Sequence, residues 1–134
     1  MAEQPVIQYL TLEAVLTLHA QQIARHGGDP GLRDKGLLDS ALAQPRATFG
    51  GHLLHETIPD MAAAYCYHLT ANHAFIDGNK RIGGYAAGVF LVMNGWRLTA
   101  TQEEYEALIL DLAAGKLDKS QVTAFFHRHA RLAE

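Results

Sequence analysis

The sequence predicts an all-α fold, a compact bundle of about six helices in a single domain over residues 1–134. Apolar residues recur at intervals of three and four along most of the chain, the spacing of helix faces that pack on a core. Threonine or aspartate precedes many of these stretches and glycine or asparagine follows them, as helix ends require. Hydrophobic residues make up 49% of the 134 residues, and the one cysteine, Cys66, can form no internal disulfide. The core must therefore stabilise the fold without a disulfide.

The first third of the chain predicts two helices joined by a loop. Thr11 is placed to cap the first helix, which should end at the glycine pair 27–28. Residues 29–36 contain one proline and two glycines and should form the loop. A short second helix should end before Pro45, because the residue before a proline avoids helical geometry. The apolar positions along one face of the first helix are Leu12, Val15, Leu16, Leu18 and Ile23.

A glycine-containing segment precedes the third predicted helix. Residues 46–57 carry a Gly-Gly pair between short apolar runs, which fits either a long loop or a small hairpin. The third helix should begin near Thr57, with Pro59 in its first turn and Asp60 completing a capping box. It should extend to about Asn72 and be buried on more than one side, because apolar residues cover most of its circumference.

The fourth predicted helix contains three glycines. Residues 82–93 are the most apolar stretch of the chain and include Gly83, Gly84 and Gly88. Each interior glycine destabilises a helix by about 1 kcal/mol relative to alanine. We therefore expect them to allow close approach of neighbouring backbones, a broken helix being the alternative. The pair at 94–95, Asn-Gly, supplies the end of the helix.

The last third of the chain predicts two more helices after a short connection. Residues 96–100 are too few to form a sheet by themselves. Thr101 and Glu104 form a capping box for the fifth helix, which Gly115 should end, and Asp118 should cap the sixth. The inward positions of the sixth helix should be Val122, Phe125 and Phe126, and its cationic end comprises His127, Arg128, His129 and Arg131.

Charge and composition narrow the function classes. A net charge of -3 and a pI near 6.2 argue against a general nucleic-acid binder, which would carry a basic face. The first ten residues show no signal peptide, and no run reaches the roughly 18 apolar residues of a membrane span, so a cytoplasmic protein is expected. P-loop, dinucleotide-binding and serine-hydrolase motifs are missing from the sequence. The histidine pairs 52/55 and 127/129 lack the further ligands of a zinc site.

Residues 73–81, HAFIDGNKR, concentrate the polar chemistry of the chain. They lie where the third helix should end and the fourth begin, and a helix start offers unpaired N–H groups and partial positive charge. His73 can remove a proton from a hydroxyl near neutral pH, or it can simply cap a helix. Asp77 can hold Mg²⁺, which prefers one or two carboxylates plus phosphate oxygens, or it can be a plain N-cap.

The end of this stretch is suited to binding phosphate. Gly78 and Asn79 can let backbone N–H groups curve round an anion. Lys80 and Arg81 can neutralise its charge, although either residue alone is better explained as a solvated cation. Together the base, the carboxylate, the turn and the cations occur in the order that nucleotide-dependent transfer to a hydroxyl needs.

This stretch resembles the signature of Fic-domain proteins, in the variant of the Doc (death-on-curing) toxins of type II toxin-antitoxin systems. The resemblance extends over nearly the whole chain through the helix order, the Gly-Gly segment and the stretches LDSALAQP and MNGWRL. It implies that His73 is the general base and Asp77 the Mg²⁺ ligand, with ATP as the nucleotide. Segment 46–57 would be the flap, which pairs with the backbone of a target protein. The remaining implied roles are an anion hole at Gly78 and Asn79, phosphate ligands Lys80 and Arg81, Arg81 acting also in catalysis, and a core anchor at Phe75.

Departures from the commoner Fic pattern bear on which reaction is implied. Nucleotidylating members usually read HPFxxGNGR with a second arginine three positions later, where this chain has Ala74, Lys80 and Gly84. In Doc-like members this lysine occurs together with ATP bound in the opposite orientation, in which the γ-phosphate rather than the nucleotide is transferred. The resemblance therefore implies a kinase that phosphorylates a Ser or Thr hydroxyl. The implied target is a translation protein, with elongation factor Tu as the candidate. Gly78 stands where Doc carries alanine, and AMP transfer and a catalytically silent binding module remain the alternatives.

The resemblance also implies how the protein is inhibited. Self-inhibited Fic proteins carry an [S/T]xxxE[G/N] helix whose glutamate meets the motif arginine. The nearest match here, residues 99–103, is followed by Glu104 and lies in a different region. The inhibitor should therefore be a separate antitoxin of the Phd type, whose flexible tail folds into a groove on the toxin. Neither a nucleic acid nor a membrane is an expected partner.

Overall fold

The computed structural model of the chain describes residues 6–134, and the predicted bundle of six helices is confirmed. The expected 1–134 domain and the expectation that no signal peptide is present both extend to residues 1–5, which lie outside the described residues. No helix in the described range is both long and apolar enough to cross a membrane. The helices are α1 (Leu12–His26), α2 (Lys35–Ala43), α3 (Ile58–Ala71), α4 (Asn79–Met93), α5 (Gln102–Ala113) and α6 (Lys119–His129).

Side-chain caps begin five of the six helices. The capping boxes predicted at Thr57 and Thr101 are present, the predicted Asp118 cap of α6 is itself part of a capping box with Gln121, and the Thr11 hydroxyl accepts from the Ala14 N–H. Each such cap contributes about 1 kcal/mol. The helix α2 starts at Lys35, two residues inside the predicted loop, because Asp34 caps it. Helix α4 differs from the other five, since within residues 6–134 no side chain caps its N-terminus at Gly78.

Helices α3 and α4 form the centre of the bundle, and glycine allows their close contact. A Cβ at Gly83 would collide with the Thr70 hydroxyl and lie 2.9 Å from the Cys66 carbonyl oxygen. A Cβ at Gly84 would lie 3.1 Å from Cδ1 of Ile109 on α5. The expected close approach of a neighbouring backbone is confirmed at Gly83. At Gly84 the neighbour is the Ile109 side chain, and at Gly88 the expectation is wrong, because a Cβ there would meet nothing within 4 Å. Helix α4 is continuous, so the broken-helix alternative is excluded.

Short strands complete the fold at two places. Segment 46–57 forms the hairpin of the two alternatives, with β1 (Thr48–Phe49) antiparallel to β2 (His52–Leu53) around Gly-Gly. The connection after α4 is more than the predicted linker, because β3 (Trp96–Leu98) pairs antiparallel with β4 (Ala130–Leu132). The partner strand lies more than 30 residues away in sequence, so the local pattern at β3 could not indicate it.

The end of α6 is buried differently from the prediction. Val122 and Phe126 are fully buried, whereas Phe125 is only half-buried. Two histidines of this end contact carboxylates on other helices. The His127 imidazole bonds the Asp60 carboxylate at the start of α3, and His129 lies 3.7 Å from the Glu104 carboxylate.

Candidate active site

The loop between α3 and α4 carries the motif and is fixed by backbone hydrogen bonds to the loop that precedes α2. The Ala74 carbonyl accepts from the N–H groups of Arg33 (2.8 Å) and Asp34 (2.9 Å). The Ile76 N–H donates to the Gly31 carbonyl at 3.0 Å. These bonds form an isolated antiparallel bridge, which holds the motif loop against the first third of the chain.

Two side chains hold the centre of the motif loop. The amide of Asn79 donates to the Phe75 carbonyl and accepts from the Phe75 N–H, both at 3.0 Å. The His19 imidazole stacks on the Phe75 ring with centroids 3.6 Å apart, and its Nε2 donates to the Asp77 carbonyl at 2.8 Å. Phe75 is 1% exposed, so the predicted core anchor is buried as expected.

Asp77 presents its carboxylate at the surface beside the start of α4. Its Oδ2 accepts from the Asp29 N–H at 2.8 Å, while Oδ1 has no hydrogen-bond partner among residues 6–134. Gly28 packs against it with a φ of 118°, and a Cβ there would lie 3.2 Å from the Asp77 Cβ. The fixed carboxylate therefore has one oxygen available to an external ligand.

The start of α4 has the features of an anion site. Gly78 adopts left-handed backbone angles (φ 81°, ψ 16°), and the first intrahelical bond runs from the Ile82 N–H to its carbonyl. The N–H groups of residues 79–81 precede that bond and have no acceptor within the described range. Lys80 and Arg81 are exposed beside them. Gly78, Lys80 and Arg81 line a cavity of about 350 Å³ together with Asp77 and residues 26–28, and Asn79 does not line it.

His73 has an unusual backbone conformation and an exposed side chain. Its φ is 52°, the one positive φ of a non-glycine residue in residues 6–134. The Arg33 guanidinium donates to its carbonyl through Nε (2.8 Å) and Nη2 (2.5 Å). The imidazole does not line the 350 Å³ cavity. The structure thus brings together Asp77, Gly78, Lys80 and Arg81, uses the Asn79 side chain within the loop, and leaves His73 outside the cavity lining.

Sequence reasoning missed the residues that support the motif from α1 and the following loop. His19 is 2% exposed and lies four residues from both Val15 and Ile23 on the buried face of α1. A histidine on an apolar stripe was the available signal for it. Asp29 and Arg33 sit in a glycine- and proline-containing loop, and neither had a local pattern that pointed to the motif.

A second, larger groove lies on the other side of the α4 N-terminus. It encloses about 900 Å³ between α4, α5 and β3, and Lys80 and Arg81 border it as well as the smaller cavity. The Tyr105 hydroxyl donates to the Gly84 carbonyl at 2.6 Å on its wall. Burial raises the pKa of Tyr105 well above its usual value and that of Cys66 to about 12, so both stay neutral. The apolar lining of the 900 Å³ groove includes Tyr85, Val89, Val92, Met93, Ile109 and Leu110.

The sequence of this chain is similar to those of known proteins of one family. The sequence profile of the Fic/DOC family matches residues 9–91, which include the motif loop and the start of α4. "Toxin Doc" of Mycolicibacterium smegmatis is 41% identical over 119 residues, covering 87% of this chain and 89% of that protein. "Protein kinase doc" of Escherichia phage P1 is 28% identical over 125 residues, covering 91% of this chain and 95% of that protein.

Proposed function

Because this chain belongs to the Fic/DOC family, we propose that it is a Doc-like toxin that transfers the γ-phosphate of ATP to a Ser or Thr hydroxyl of another protein. The observation that carries the proposal is the start of α4. Unpaired N–H groups, two cations and one fixed carboxylate meet there around a single cavity. Helix starts of this kind favour phosphate, and the name of the phage relative is that of a kinase. ATP is abundant in the cytoplasm, which is the proposed site of action.

His73 is proposed as the general base. Its exposed imidazole is open to a hydroxyl presented by a macromolecule. The hydroxyl oxygen would form a bond to the γ-phosphorus while the bond from that phosphorus to the β–γ bridging oxygen breaks. The hydroxyl proton passes to the imidazole, and ADP leaves with the electron pair of the broken bond.

Lys80, Arg81 and the N–H groups of residues 79–81 are proposed to hold the phosphates. Their charges and dipoles are directed at the position where negative charge develops during transfer. Asp77 fits Mg²⁺ because one carboxylate oxygen is free and the other is fixed by Asp29. The described residues offer no group of three His, Cys, Asp or Glu that could hold a metal, so phosphate oxygens and water would complete the coordination. Bound Mg²⁺ would neutralise phosphate charge in the transition state.

The surroundings of Gly84 favour phosphate transfer over AMP transfer. Nucleotidylating Fic members usually carry a second arginine at this position. Here the backbone of Gly84 is bonded by Tyr105, and a side chain would displace Ile109. AMP transfer is the second candidate because glycine, rather than the alanine of Doc, is the residue at position 78 that precedes α4.

The β1–β2 hairpin is proposed to recognise the target protein. It is a two-stranded sheet, and an extended segment of a partner can pair with such an edge. Phe49 is 82% exposed at the turn and offers an apolar contact. The resemblance to Doc makes a translation protein, elongation factor Tu, the candidate target.

The 900 Å³ groove is proposed to receive the tail of a Phd-type antitoxin. Its apolar walls fit the apolar face of a helix, and its cationic end at Lys80 and Arg81 fits acidic residues of that segment. An inhibitor bound there would contact two of the proposed phosphate ligands. The groove thus supplies a means of inhibition in trans.

The test uses ATP labelled at either the α or the γ position. Purified protein is incubated with translation extract and each label, and labelled proteins are identified. We expect label from the γ position to reach a protein, and the His73→Ala variant to lose both this transfer and toxicity. His129→Ala is the matched control, because α6 contributes no residue to either cavity. Label from the α position would instead show AMP transfer, and toxicity that survives in His73→Ala without labelling would show a binding module.

A further inference from the structure

His73 is held in a conformation that an unconstrained residue avoids. Its φ of 52° is unique among the non-glycine residues of the described range. In the left-handed region the Cβ of an L-residue crowds the following carbonyl, so such a residue persists only where its surroundings hold it. The direction of its imidazole follows from that backbone geometry.

The Arg33 side chain is the group that holds this residue. Nε and Nη2 both donate to the His73 carbonyl, at 2.8 and 2.5 Å. No other hydrogen bond to His73 occurs within residues 6–134. A guanidinium forms a planar fork, and its charged donors bond a carbonyl more strongly than neutral donors do.

The remaining bonds of the motif loop do not depend on the guanidinium. The backbone N–H groups of Arg33 and Asp34 bond Ala74, and Ile76 bonds Gly31. Asp77 is held by Asp29 and His19. Removal of the Arg33 side chain therefore leaves the loop docked and the phosphate site in place, and it frees the peptide group of His73.

We propose that Arg33 is a positioning residue, which fixes the backbone of His73 and so directs the imidazole toward the hydroxyl to be phosphorylated. This role rests on the proposed function only in naming His73 as the base. Loss of the fork slows the chemical step, because the base is no longer held in the productive geometry. Affinity for ATP is unchanged, because the bonds that hold Asp77 beside the start of α4 do not involve the guanidinium.

Arg33→Ala and Arg33→Lys are compared with wild type in the γ-phosphate transfer assay. We expect kcat to fall by about 10- to 100-fold in Arg33→Ala with KM for ATP within about twofold. Arg33→Lys should recover part of the loss, since an ammonium is a point charge that cannot reproduce the fork. Lys35→Ala is the matched control, because among residues 6–134 the exposed Lys35 side chain pairs with Asp39 alone, and its loss should leave kcat unchanged.

Crystal structures of wild type and Arg33→Ala give a second readout that needs no activity. We expect φ of His73 to leave the left-handed region in the variant, with the loop 74–77 in place. A φ that stays near its wild-type value, or a kcat within twofold of wild type, overturns the proposal. If wild type transfers no phosphate, the proposed function fails and the crystal structures still decide the role of Arg33. If Arg33→Ala does not fold, the same two readouts on Arg33→Lys and Arg33→Gln decide it.

Discussion

The imidazole of His19 lies nearly parallel to the ring of Phe75, with their centroids 3.6 Å apart and an angle of 10° between the planes. The same imidazole donates to the Asp77 carbonyl and lies within 3.3 Å of the point where a Cβ on Gly78 would sit. One buried histidine on α1 thus lies against three residues of the motif loop, Phe75, Asp77 and Gly78. Helix α1 is as much a part of the candidate site as α4.

Removal of the His19 ring should both destabilise the fold and reduce phosphate transfer. His19→Ala loses a stacked aromatic contact and leaves the Asp77 carbonyl without its donor, and we expect a loss of about 2–3 kcal/mol in the free energy of unfolding. Urea denaturation followed by circular dichroism measures it. His52→Ala, in the exposed hairpin, should change stability by less than about 0.5 kcal/mol. Equal losses in the two variants would contradict the supporting role of His19.

The glycines of α4 should respond oppositely to alanine. Gly83→Ala places a methyl group against Thr70 and the Cys66 carbonyl, and we expect it to destabilise the fold by about 2–4 kcal/mol. Gly88→Ala meets open space and removes a flexible residue from a helix, and it should stabilise the fold by about 0.5–1 kcal/mol. Denaturant midpoints measured in parallel decide this. A similar shift for both variants would show that helix contact at Gly83 is unimportant.

Lys80 should matter for nucleotide binding more than for folding. The side chain is exposed and borders both cavities, so its loss removes a charge from the phosphate site without opening the core. We expect Lys80→Gly to lower γ-phosphate transfer by about 10- to 100-fold, as loss of a charged hydrogen bond predicts. The assay is run with both labels. Unchanged γ transfer would remove Lys80 from the proposed phosphate ligands, and new α transfer would assign it the choice of reaction.

Stability should fall as the pH drops below neutrality because of two histidines, the buried His55 and the half-buried His68. Burial, with Lys119 and His55 nearby, lowers the pKa of His68 to about 4, and burial and Lys119 also lower the pKa of His55. In the unfolded chain these histidines bind protons near pH 6.5, whereas in the folded protein they bind them only at lower pH. Their contribution to the free energy of unfolding is therefore complete above pH 6.5 and is lost as the pH falls toward 4. Melting temperatures between pH 7.5 and 4.5 should decline by several degrees.

The double variant His55→Gln/His68→Gln is the control for that pH dependence. Glutamine does not titrate in this range, so the decline between pH 6.5 and 4.5 should become shallower. His55 Nδ1 and His68 Nε2 are buried and lack a hydrogen-bond partner within residues 6–134, which is why a proton on either is poorly stabilised. A variant that declines as steeply as wild type would assign the effect to other groups.

Local chemistry made much of this fold predictable. Caps such as Thr11 and Thr57 act within four residues, and the motif from His73 to Arg81 is continuous in sequence. Contacts between distant segments were not predictable, because nothing in WRL indicates that Ala130–Leu132 will pair with it. The same limit applies to the site, where Arg33 reaches His73 across 40 residues and His19 reaches Asp77 across 58. At Gly88 the composition of α4 suggested a helix contact that the packing does not make.

Lys80 and Arg81 form a wall common to the 350 Å³ cavity and the 900 Å³ groove. Ligands in the two places therefore share the same two positive charges, and thermodynamic linkage makes their effects reciprocal. If an acidic segment in the groove weakens ATP binding by some factor, ATP must weaken binding of that segment by the same factor. The level of ATP in the cell would then set part of the affinity between toxin and inhibitor, so that a fall in ATP tightens inhibition.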